Sequence, residues 1–69
     1  MTQFTVENRK AILEEYLLAY ETARFRAEVE NKVAKECGDK AAEANAIKRT
    51  QDFTIGIVVV QSELDDLSA

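Results

Sequence analysis

One interruption, Glu36-Cys37-Gly38-Asp39-Lys40, stands near the middle of a 69-residue chain that has no proline and only one other glycine. Glycine has no Cβ to oppose left-handed backbone, so Gly38 suits the residue that ends a helix. Asp39 can cap the next helix by accepting from the free N–H groups of its first turn. Such punctuation between two amphipathic stretches of similar length predicts a helical hairpin. The expected fold is all-α: an antiparallel two-helix hairpin, residues 5–37 and 39–67, in a single domain covering residues 1–69. A continuous helix through Gly38 costs only about 1 kcal/mol at the glycine and is the alternative to the turn.

Thr5 can cap the first helix, and Glu7 falls in its first turn, where the helix dipole favours an anion. From Val6 to Glu36 good helix formers dominate, with neither glycine nor proline. Leu13, Tyr16, Leu17, Tyr20, Ala23, Ala27 and Ala34 recur at helical spacing and form a seam. Glu7, Glu14, Glu21 and Glu28 recur every seven residues. They read as a solvated face opposite the seam in preference to a cation ladder.

The second seam runs through Ala46, Phe53, Ile57, Val60, Leu64 and Leu67. Within it, residues 53–60 are β-branched and aromatic, and by propensity alone they read as a strand, which would make an α+β domain. Strict alternation is absent and nothing else in the chain offers a partner strand, so helix is expected there. In a hairpin turning at residues 38 and 39, facing residues have numbers summing to about 77, at equal rise on both helices. Leu13 then lies level with Leu64, Leu17 with Val60, Tyr20 with Ile57, and Phe25 roughly with Phe53.

The same levels bring together two segments apolar on nearly every side, residues 16–20 and 57–60. A two-helix hairpin buries one face of each helix, so a helix apolar all round needs a further neighbour. Self-association through Tyr16, Leu17, Leu18, Tyr20, Ile57, Val58 and Val59 is therefore expected. Charge sets the orientation. Residues 1–23 carry −2, residues 24–49 carry +2 and residues 50–69 carry −4. Folding gathers −6 at the termini and leaves +2 at the bend. Head-to-tail packing sets unlike ends together, which points to an antiparallel homodimer forming a four-helix bundle.

Composition narrows the chemistry. There is no histidine, and Cys37 is the only cysteine, so no intrachain disulfide can form and a catalytic thiol would lack an imidazole base. A zinc site would have to be built almost wholly from carboxylates. No Gly-rich phosphate loop or Ser-His-Asp set is present. No catalytic, cofactor-binding or metal residue is assigned, and the chain is read as a non-enzyme. The net charge of −4 gives no overall attraction to nucleic acid or anionic lipid. The longest strongly apolar run, Ile55 to Val60, is too short to span a bilayer, and no secretory signal is read at the N-terminus. A cytoplasmic protein acting through protein–protein contact, as adaptor, regulator or assembly component, is expected.

An alternative function rests on the basic residues Arg24, Arg26, Lys32, Lys35, Lys48 and Arg49 near the bend, with Phe25 between the first two. Aromatic and basic side chains interleaved in this way can contact RNA. A dimeric helical hairpin of this size resembles in shape, though in no run of residues, the small RNA-binding plasmid regulator Rop. That resemblance implies an RNA-binding regulator.

Overall fold

The computed structural model describes residues 4–68. Two helices fill almost all of it: α1, Val6–Cys37, and α2, Lys40–Ser68. They pack side by side as a hairpin of 52 × 21 × 16 Å, one helix thick in its shortest dimension.

The turn is built as the sequence requires. Gly38 has φ 71° and ψ 21°, the left-handed region. Its N–H donates to the Lys35 carbonyl at 3.2 Å, and the Asp39 N–H donates to the Ala34 carbonyl at 2.9 Å. This pair of bonds is the Schellman motif, which satisfies carbonyls that the end of α1 would leave free. Asp39 Oδ1 accepts from the Ala42 N–H at 3.0 Å and caps α2. Thr5 Oγ1 accepts from the Asn8 N–H at 3.1 Å and caps α1. The continuous-helix alternative is overturned by this reversal.

Residues 53–60 are helical, and no strand occurs among the described residues. The strand alternative fails for want of a partner strand, and β-branched side chains lower helix propensity only slightly. Thr50 and Thr54 turn their hydroxyls back onto the carbonyls four residues before them, at 2.9 and 2.8 Å, and so satisfy themselves within the helix.

The seam is narrower than the sequence implies. Among the described residues only Ala27, Ala34, Ala46 and Val60 are buried. Leu13, Leu17, Tyr20, Phe53, Ile57, Leu64 and Leu67 are half-buried along the same line. Tyr16 and Phe25 lie off it, 53 % and 65 % exposed. From Tyr20 the line steps to Arg24 and then to Ala27, so Phe25 falls about 100° outside it. Tyr20 takes the place expected of Phe25: its ring lies 6.3 Å from Phe53 and 6.2 Å from Tyr16.

Asn31 sits on the seam, and its buried Oδ1 accepts no hydrogen bond within the described residues. An unpaired buried acceptor costs about 1–3 kcal/mol, while a polar seam residue penalises slipped registers. Asn31→Leu is expected to stabilise the hairpin by about 1 kcal/mol or more, read as a higher urea midpoint.

Candidate interaction surface

Each helix presents two flanks beside the seam, and the hairpin makes a continuous surface of each pair. On one side, Arg9, Ile12 and Glu63 line a groove near the termini, while Glu30, Val33 and Arg49 line another near the bend. Between them lies a shallow depression at Ile12, Glu15, Tyr16 and Ala19. Helical spacing places Ala23 on this flank, seven residues from both Tyr16 and Glu30, and Gly56, seven from both Arg49 and Glu63. Val59 stands beside Gly56 and is 55 % exposed.

The opposite side carries Glu28, Lys32, Lys35, Ile47 and Gln51 along a second groove between the helices. Leu18 and Phe25 continue the Lys32 row at seven-residue steps, and Val58 continues the row of Gln51. Leu18 is 68 % exposed and Val58 62 %. The acidic heptad Glu7, Glu14, Glu21 and Glu28 is exposed, as expected. Its place is different: Glu28 lines the groove with Asn31 and Thr50, so the row borders the seam on the Leu18 flank.

The residues expected to drive self-association therefore separate into three groups. Leu17, Tyr20 and Ile57 are half-buried along the line of the hairpin's own seam. Tyr16 and Val59 belong to one flank, and Leu18 and Val58 to the other.

The basic residues also scatter. Arg49 forms an ion pair across the hairpin with Glu30, and its Nε donates to Asn45 Oδ1 at 3.2 Å. Lys48 pairs with Asp52 at 2.9 Å, and Arg24 approaches Glu28 at 3.9 Å. Lys32 and Lys35 lie on the Leu18 flank, away from Arg49. Several cations thus already face carboxylates, and the set does not share one side of the molecule. Sequence reasoning passed over the Glu30–Arg49 pair because their numbers lie 19 apart on different helices; the sum of about 79 at matched rise was the available signal.

Gly56 lies beneath Tyr20. A methyl group placed on it would meet the Tyr20 ring at 3.5 Å, which is ordinary contact. Tyr20 thus explains a small residue at 56 and leaves room for alanine. A mid-helix glycine costs about 0.8–1.0 kcal/mol relative to alanine, a cost for which the hairpin alone supplies no steric reason.

Cys37 is exposed at the bend and unbonded. Among the described residues, no three cysteine or carboxylate side chains gather closely enough to hold a metal ion. Among the described residues, no helix is long and apolar enough to cross a membrane. No protein-family model matches the chain, and comparison with curated proteins and with solved structures likewise finds no match.

Proposed function

We propose that this protein is a small helical hairpin that pairs as an antiparallel homodimer, a four-helix bundle. It works by protein–protein contact, as an adaptor, regulator or assembly component in the cytoplasm, with no catalysis of its own. The observation that carries this reading is the set of large apolar side chains left in water at mid-length. Tyr16 and Val59 on one flank and Leu18, Phe25 and Val58 on the other are each more than half exposed, so a second copy covering one flank leaves the other for contact with a further protein.

Surface area supports it. A compact monomer of 7.8 kDa has an accessible surface of about 4,400 Å² by the usual scaling. This hairpin has 5442 Å². The excess is of the order of the ~800 Å² that each partner buries in a standard interface. A single-layer hairpin also lacks the second layer around which domains form their cores. The basic side chains give no observation favouring RNA binding over this reading.

Size-exclusion chromatography with light scattering tests the proposal. The expected mass is twice 7.8 kDa. A single-chain mass maintained as concentration rises would overturn it.

A further inference from the structure

We infer that the second copy docks on the Tyr16 flank, in antiparallel register, with its two-fold axis passing beside Gly56. This rests on the dimer proposed above and assigns its face and its pairing.

The flank has a symmetry that the hairpin does not use. On α1, Arg9, Tyr16, Ala23 and Glu30 are spaced by seven and centred between Ala19 and Tyr20. On α2, Arg49, Gly56 and Glu63 are spaced by seven and centred on Gly56. By helical rise the two centres sit at the same height to within about 2 Å. A two-fold axis through that height, lying in the flank and crossing the helices, sets α1 on the partner's α1 and α2 on its α2. Each element then meets its complement. Arg9 faces the second copy's Glu30, and Glu63 faces its Arg49. Tyr16 enters the notch over the other copy's Ala23. Gly56 meets its own copy at the axis, beside the Tyr20 ring that lies over it.

The Leu18 flank fails the same test. Stacked antiparallel about mid-height, it brings Leu18 onto the second copy's Phe25, but Glu14 then meets Glu28 and Glu21 meets its own copy. Like charges next to the seam would be drawn into the bundle interior, where repulsion and desolvation both oppose them.

The alternative two-fold on the Tyr16 flank runs along the hairpin and sets bend on bend, with α1 over the partner's α2. It also places Glu30 near an Arg49. It leaves Tyr16 without the alanine notch, and it stacks −6 on −6 at the termini.

A charge exchange separates these cases. The double variant Glu30→Arg, Arg49→Glu keeps an ion pair inside each hairpin, reversed. It sets like charge against Arg9 and Glu63 of the antiparallel partner, but remains complementary in a bend-on-bend pair. Analytical ultracentrifugation should show the dimer dissociation constant raised at least about tenfold, with helical circular dichroism retained. Adding Arg9→Glu and Glu63→Arg should restore the wild-type constant. Val58→Asp, on the Leu18 flank, should leave it unchanged. A wild-type chain that is monomeric throughout would remove the dimer and this inference together. A wild-type dimer indifferent to the double exchange, or dissociated by Val58→Asp, would leave the dimer standing and overturn the assigned face and register.

Discussion

Replacing Ala27 with glutamate is expected to unfold the hairpin. Ala27 is 0 % exposed, the most enclosed position among the described residues. It lies where the helices approach on small side chains, Ala27 and Ala34 on α1 and Ala46 on α2. A glutamate there must separate the helices or bury its carboxylate, at a cost of about 3 kcal/mol or more. A core in a chain this small supplies only ~3–5 kcal/mol in total. Circular dichroism at 25 °C should lose most of its helical signal, and Ala27→Ser should lose little of it. A fully helical glutamate variant would show that the alanine seam is not what closes the hairpin.

The second large effect is at Tyr20. This ring bridges the helices: it stacks on Tyr16, tilts against Phe53 and lies over Gly56. Truncation of a buried aromatic costs about 3–5 kcal/mol. Tyr20 is half-buried, so Tyr20→Ala should cost about 2–3 kcal/mol, measured by urea unfolding at fixed protein concentration. Tyr16→Ala, at an exposed ring, should cost the isolated hairpin well under half of that and weaken the proposed dimer instead. Equal losses of hairpin stability at the two positions would contradict the placement of the seam.

Most of the architecture was legible because its signals are local. Gly38 and Asp39 mark the turn by backbone chemistry that needs no knowledge of the rest of the chain. Both caps follow from side chains within three residues of the N–H groups they satisfy. The seam was read with one face too many because apolar periodicity around Tyr16 and Leu17 is nearly isotropic. A wheel whose residues are apolar all round does not say which third points inward. Phe25 was misplaced by its level opposite Phe53, which says nothing of the face it occupies, although Arg24 and Ala27 hold the inward positions beside it. The two flanks could be told apart only once α2 was set against α1, because each is made of rows from both helices.

The two-residue connection between α1 and α2 has a kinetic consequence. Closing so short a loop costs little chain entropy, so the first layers, Ala34 and Ala46, can meet before any distant pair. The helices then zip away from the bend in an order set by the chain itself. Refolding should therefore show a fast phase indifferent to concentration, and pairing into the proposed dimer should follow as a slower phase that quickens as chains are added. In that proposed pairing the late event would be an encounter between preformed rods rather than a shared nucleus.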